Sequence, residues 1–202
     1  MVAVEGFILC GGLASRMGTP KGDLLIGDST LLERAVDTMQ TALPGRPVAV
    51  VAGQLATAPA GARVLADLPV GERDIRAPII GLRTALYSAE TDWITVLAVD
   101  LPFATAELIR FLLDFLDDEM DAVVPTQPDE MPQPLCALYR CDVLRHVEDA
   151  IGRRDLSLRS LLERLKVRYV AASEYSHLDG AQHFFFNINT PADIDRALSL
   201  RS

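Results

Sequence analysis

Four glycines and two cations crowd one short stretch, Gly11-Gly12-Leu13-Ala14-Ser15-Arg16-Met17-Gly18-Thr19-Pro20-Lys21-Gly22, directly after an apolar run that ends in Leu9-Cys10. Glycines let a backbone turn sharply and bring its N–H groups close to an anion, while Arg16 and Lys21 add charge for phosphate oxygens. The spacing fits neither the Gly-Lys-Ser/Thr of a Walker loop nor Gly-x-Gly-x-x-Gly. On residue types alone, the stretch reads equally as a phosphate cradle or as a solvated basic loop. Asp100 is the second candidate, in Val99-Asp100-Leu101-Pro102. A hard Mg²⁺ ion takes oxygen ligands, keeps several waters and binds through one or two carboxylates plus substrate phosphates, so one aspartate at a strand end suffices. The competing reading is a turn cap before the next helix. Asn187 and Asn189 alternate in what reads as a strand, which would put both amides on one face, each able to donate and accept. Arg153-Arg154 is a further basic pair, between two expected helices.

These residues need elements that bring them together. Apolar runs at Ala3–Cys10, Val48–Ala52, Trp93–Val99, Ala122–Val124, Leu135–Tyr139, Val167–Val170 and Phe184–Ile188 read as strands, mostly without polar alternation. Such strands are buried on both faces, the mark of a largely parallel sheet covered by helices. Thr30-Leu31-Leu32-Glu33 is a capping box that opens a helix burying Leu31, Ala35, Met39 and Leu43. Further helices are expected over Ile80–Ser88, after Thr105 with Leu108, Leu112 and Phe115 on one face, over Asp142–Ile151 and over Leu158–Lys166. The last starts at Thr190-Pro191, with Asp193 near the positive end of its dipole. The alternation predicts a doubly wound α/β fold with a mostly parallel, mixed sheet and helices on both faces. Its crossovers should be right-handed and its ligand site should lie at the carboxyl ends of the strands. No repeat or composition break divides residues 1–202, so one domain is expected. Pro125–Pro134, with four prolines, reads as an exposed excursion or lid.

At 202 residues, 50% hydrophobic and 23% charged, the chain can bury a full core. A net charge of −9 argues against nucleic-acid or anionic-membrane binding through bulk charge. No apolar run approaches the roughly 18–20 residues of a membrane span, and Met1-Val2-Ala3-Val4-Glu5-Gly6 lacks the basic region of a secretory signal. Cys10, Cys136 and Cys141 are odd in number and lack zinc spacing, so reduced thiols in a cytoplasmic protein are expected. His146, His177 and His183 are scattered without ligand spacing and offer Cys10 no nucleophile's partner, so all four read as structural.

Gly11-Gly12-Leu-Ala-Ser-Arg16-Met17-Gly18-x-x-Lys21 resembles the signature of the molybdenum cofactor guanylyltransferase group, the MobA-like nucleotidyltransferases. Three more stretches continue the resemblance in order. Ala77-Pro78-Ile79-Ile80-Gly81-Leu82 is similar to that group's Gly-Pro-Leu-Ala-Gly turn, Val99-Asp100-Leu101-Pro102-Phe103 to its Cys-Asp-x-Pro element, and Phe186-Asn187-Ile188-Asn189-Thr190-Pro191 to its Asn-x-Asn-Thr-Pro ending. The resemblance implies a nucleotide-diphospho-sugar transferase-like fold. It also implies transfer of GMP from GTP to molybdopterin with release of pyrophosphate, as a step of molybdenum cofactor biosynthesis. On this reading Arg16, Lys21 and Asp100 are catalytic, and Asp100 holds Mg²⁺. Leu9, Cys10, Gly11, Gly12, Lys21, Asp67 and Asp100 meet GTP, the carboxylate of Asp67 suiting the N1–H and N2 donors of guanine. Asn187, Asn189 and Arg154 face the pterin acceptor. Transient contact with molybdoenzymes or other cofactor-biosynthesis proteins is implied, and no nucleic acid or membrane. Asparagines rather than aspartates at 187 and 189 favour GTP over CTP. The chain departs from the pattern at Pro20, where relatives carry an acid, and at Gly53-Gln54, where they carry an asparagine. The alternatives are cytidylyl transfer to the same pterin, a different phosphate acceptor, and a non-catalytic nucleotide-binding escort.

Overall fold

The computed structural model describes residues 2–11, 20–52, 59–69 and 77–200. The first strand, β1 (Val4–Leu9), is buried along its whole length, as its unbroken apolar run predicts. A short hairpin, β2 (Leu25–Ile26) and β3 (Ser29–Thr30), turns through Gly27 at φ 66, a conformation that glycine adopts at no steric cost. Thr30 then caps α1 (Leu31–Ala42), its hydroxyl accepting from the Glu33 N–H while the Glu33 carboxylate accepts from the Thr30 N–H. Next come β4 (Val48–Val51), β5 (Arg63–Leu65), α2 (Pro78–Ser88, proline in the first turn), β6 (Trp93–Ala98) and α3 (Ala106–Leu113, capped by Thr105). The second half contributes β7 (Ala122–Pro125), β8 (Cys136–Arg140), α4 (Leu144–Gly152), α5 (Leu158–Leu162), β9 (Val167–Val170), α6 (Ala172–Tyr175) and α7 (Pro191–Ser199).

Seven strands form one sheet in the order β5-β4-β1-β6-β8-β7-β9. Only β8 runs against its neighbours; β1 pairs parallel with β4 and β6, β4 with β5, and β7 with β9. The expected doubly wound, mostly parallel mixed sheet is therefore present. Alternating residues feed two cores: Val4 and Ile8 pack with α1, α3 and α7, while Phe7 and Leu9 pack with α2, α4 and α5. Among the described residues, no helix is long and apolar enough to cross a membrane.

Three expectations need correction. Phe184–Ile188 is not a strand. Its backbone is satisfied by short-range bonds, Phe184 N–H to Ala181 O and Phe186 N–H to His183 O, while Phe184, Phe185 and Ile188 bury their side chains. The helix expected over Leu158–Lys166 stops at Leu162, because Arg164 and Leu165 bond three residues back and the Lys166 N–H turns to Asp121 Oδ2 at 2.9 Å. Phe115 lies beyond the α3 cap at Asp114, yet its ring still meets Phe111 at 5.2 Å between centroids.

Candidate active site

The central strand β1 has a parallel neighbour on each side, so the chain leaves it in opposite directions for the two halves of the sheet. In open α/β sheets ligands bind beyond the carboxyl ends of the strands at such a switch point, here the ends of β1 and β6. The two ends are bonded to each other, Val99 N–H donating to Leu9 O at 3.2 Å. Asp100 follows directly, with its side chain 21% exposed. Lys21 arrives from the other side in a tight turn over Lys21–Asp23 that begins at Pro20, whose φ of −54 is fixed by its ring.

The Lys21 ammonium donates to Asp100 Oδ2 at 2.7 Å and to Asn189 Oδ1 at 2.8 Å. Three stretches far apart in sequence thus converge on one cation. Asn189 is held by its neighbours. Asp193 Oδ2 accepts from the Asn189 N–H at 2.9 Å, the Thr190 N–H at 2.8 Å and the Thr190 hydroxyl at 2.9 Å, which keeps the Asp193 carboxyl below its usual range. The same carboxylate completes the capping box of α7. One residue earlier, the Ile188 N–H donates to Asp100 O at 3.0 Å and sews this segment to the aspartate's own backbone.

Gly22 is required for a different reason. A Cβ there would lie 2.8 Å from Cys10 Sγ, so the missing side chain lets the Lys21 turn close over the end of β1. Burial pushes the Cys10 thiol up to about 11, the Gly22 backbone hydrogen bond opposing and the charges of Asp23 and Asp100 adding. A neutral thiol packed against a turn is a poor nucleophile.

Residues 6–169 match the model of the MobA-like NTP transferase domain. The chain belongs to that family. A molybdenum cofactor guanylyltransferase from Desulfosudis oleivorans is 28% identical over 98% of this chain and 95% of its own length. The crystal structure of molybdopterin-guanine dinucleotide biosynthesis protein A from Archaeoglobus fulgidus superposes with a TM-score of 0.76 at 25% identity, covering 98% of each chain. A Mycobacterium tuberculosis protein solved in complex with manganese shares the fold, with a TM-score of 0.65 at 19% identity over 97% of this chain and 98% of its own.

Against this MobA-like frame the expected site residues divide. Lys21, Asp100 and Asn189 form one hydrogen-bonded group. Leu9, Cys10 and Gly11 lie at its rim, though the Leu9 carbonyl and the Cys10 N–H are already bonded to Val99 and Val51. Arg16 and Gly12 fall outside the described residues, as do Gly53 and Gln54. Asp67 lies just past β5 at the same sheet edge, two strands out from β1, next to the Leu68 N–H that Thr84 Oγ1 accepts at 3.0 Å. Asn187 and Asn189 do not share a strand face. Asn187 donates to Phe185 O at 3.3 Å, whereas Asn189 reaches Lys21. Arg154 sits at φ 60 in the α4–α5 connection and is exposed, and Arg153 pairs with Asp149.

One carboxylate fits a divalent ion of a particular kind. Among the described residues no cluster of three or more histidine, cysteine or acidic side chains exists to cage a metal. Asp100 alone suits a hard ion that brings waters and completes its shell with phosphate oxygens. The lysine–asparagine link was invisible to sequence reasoning, because periodicity assigned Asn189 to a strand; the only signal was the aspartate three residues after Thr190, which marks a capping box.

Proposed function

We propose that this MobA-like chain, as one nucleotidyltransferase domain acting in the cytoplasm, transfers GMP from GTP to molybdopterin. The terminal phosphate oxygen of the pterin forms a new bond to the α-phosphorus of GTP, and the bond from that phosphorus to the bridging oxygen of the leaving pyrophosphate breaks. The products are molybdopterin guanine dinucleotide and pyrophosphate. The observation that carries the reading is the Lys21 ammonium bridging Asp100 and Asn189 at the carboxyl edge, where a nucleotide-side cation meets the acceptor-side segment.

The attacking phosphate is already an anion near neutral pH, so the site needs alignment and charge neutralisation rather than a strong base. Lys21 would release one of its two partners to meet the triphosphate, aided by Arg16 and the backbone of the glycine-rich loop at Gly11 and Gly12. Asp100 would hold Mg²⁺, which supplies charge neutralisation at phosphate oxygens when bound. Asp67 would read guanine, and Asn187, Asn189 and Arg154 would flank the acceptor. The test is an acceptor-dependent assay with Mg²⁺, molybdopterin and GTP, CTP, ATP or UTP in separate reactions, quantifying pyrophosphate and dinucleotide. Dinucleotide with GTP alone is expected; product with CTP instead would reassign the base, and no product with any nucleotide would overturn the reaction.

A further inference from the structure

Helices α1 and α7 open on the same device and differ in one bond. At α1 the Glu33 carboxylate accepts from the Thr30 N–H at 2.8 Å and the Thr30 hydroxyl at 2.9 Å, both groups of the cap residue itself. At α7 the Asp193 carboxylate accepts from the matching groups of Thr190 and from one more, the N–H of Asn189, which precedes the cap. Glu33 closes its capping box without such a bond, so the third bond at Asp193 is extra to the cap. Its geometry has a consequence at the site. A peptide unit is planar, so an N–H held in place holds the whole plane. The two planes that flank the Asn189 Cα carry the Asn189 N–H and the Thr190 N–H, and a single oxygen, Asp193 Oδ2, binds both. The preceding plane is fixed as well, its Ile188 N–H donating to Asp100 O at 3.0 Å. Asn189 is exposed, so these bonds rather than packing set its Cα–Cβ direction. Its Oδ1 then accepts from the Lys21 ammonium at 2.8 Å.

We propose that Asp193 is a positioning residue for nucleotidyl transfer: through Asn189 it fixes where the Lys21 ammonium stands to receive the triphosphate. The kinetic part of this rests on the guanylyl-transfer reading. A lysine ammonium is a compact charge on a flexible stem, so one partner alone leaves it free to swing. Asp100 supplies the first partner and Asn189 the second, and two acceptors define a position where one does not. The amide oxygen of Asn189 is neutral and accepts more weakly than a carboxylate, so a phosphate oxygen can replace it without stranding a charge. The ammonium is thus aimed without being locked. Asp193 exerts this control through the backbone of Asn189 and Thr190.

The test measures kcat/KM for GTP, with molybdopterin saturating, in Asp193→Ala, Asn189→Ala and the double variant. Glu33→Ala is the control, since it strips the matching carboxylate from the α1 cap. Asp193→Ala should lower kcat/KM about three- to tenfold and Glu33→Ala by less than about twofold. In the Asn189→Ala background Asp193→Ala should add less than about twofold, because the brace then has no amide to aim. Equal kinetics in the two cap variants, or losses that multiply in the double variant, would overturn the role and leave guanylyl transfer standing. Asp193→Asn keeps the size and loses the charge, and it takes the alanine variant's place, under the same criteria, if that variant does not fold. If wild type makes no dinucleotide from any nucleotide, the functional reading fails, and the free protein decides the brace separately. Lys21 and Lys166 are the only lysines, so ¹³C-lysine labelling gives one side-chain Cε–Hε signal for each. The Lys21 signal should move towards that of exposed Lys166 in Asp193→Ala, as in Asn189→Ala. A Lys21 signal that Asp193→Ala leaves in place would overturn the brace.

Discussion

Two carboxylates on neighbouring strands of the sheet face opposite fates. Glu5, near the amino end of β1, is 3% exposed and enclosed by fixed partners: the Glu90 N–H donates to one oxygen at 2.8 Å, and Arg63 lies 3.6 Å from the other. Asp100, past the carboxyl end of β6, takes its cation from a lysine, both side chains being partly exposed. A backbone amide cannot leave without unfolding the chain, whereas a lysine on a four-carbon stem can exchange one anion for another. The amino edge therefore uses its charge to hold the fold, and the carboxyl edge keeps its charge available.

Substitutions should separate these roles. Asp100→Ala should lower kcat by about 10²–10³-fold with the melting temperature within about 2 °C of wild type. Steady-state assays and calorimetry check both halves, and unchanged turnover would erase the contrast. Lys21→Met should lower kcat/KM for GTP by about 10–100-fold through both constants. Intact kinetics would make that lysine mere surface charge. Glu5→Ala should do the reverse, losing about 1–3 kcal/mol in urea unfolding from the stranded Glu90 N–H and Arg63 while kcat holds. Gly22→Ala forces a Cβ onto Cys10 Sγ and should cost about 1–3 kcal/mol by overpacking. Cys10→Ala in the same chain should recover much of it, and strictly additive losses in the double-mutant cycle would place the strain elsewhere. The smallest effect is alkaline. Burial raises the thiols of Cys10 and Cys141 from 9.0 to about 11, so folding favours their protonated forms. That contribution is complete below about pH 9 and declines as the pH climbs towards 11, because the unfolded chain ionises first. Unfolding curves across that window should show Cys10→Ala losing less stability with pH than wild type.

The fold was legible wherever burial and periodicity agree. β1, β4 and β6 are largely apolar because helices cover both faces, and the Thr30 capping box and the Thr190-Pro191 start announced their helices. The segment from Phe184 was misread because three successive aromatics look like a strand. The structure instead buries them beside Tyr175 and closes the backbone with local turns. For the site, residue chemistry and topology made Lys21 and Asp100 candidates beside a bland reading of each, and the family resemblance chose between the two. The Lys21–Asn189 contact could not be read in this way, since the two residues lie 168 positions apart and periodicity placed Asn189 on a strand.

The Lys21–Asn189 hydrogen bond spans 168 positions of sequence. Closing so long a loop costs entropy that grows only slowly with length, so the penalty is modest; the order of events matters more. During synthesis, the glycine-rich loop and Asp100 leave the ribosome well before Asn189 does. Until residue 189 emerges, Lys21 has only Asp100 of the two side chains it bridges in the fold. The bond thus acts as a completion mark: a nascent or truncated chain that stops short of Asn189 lacks the second of these two contacts.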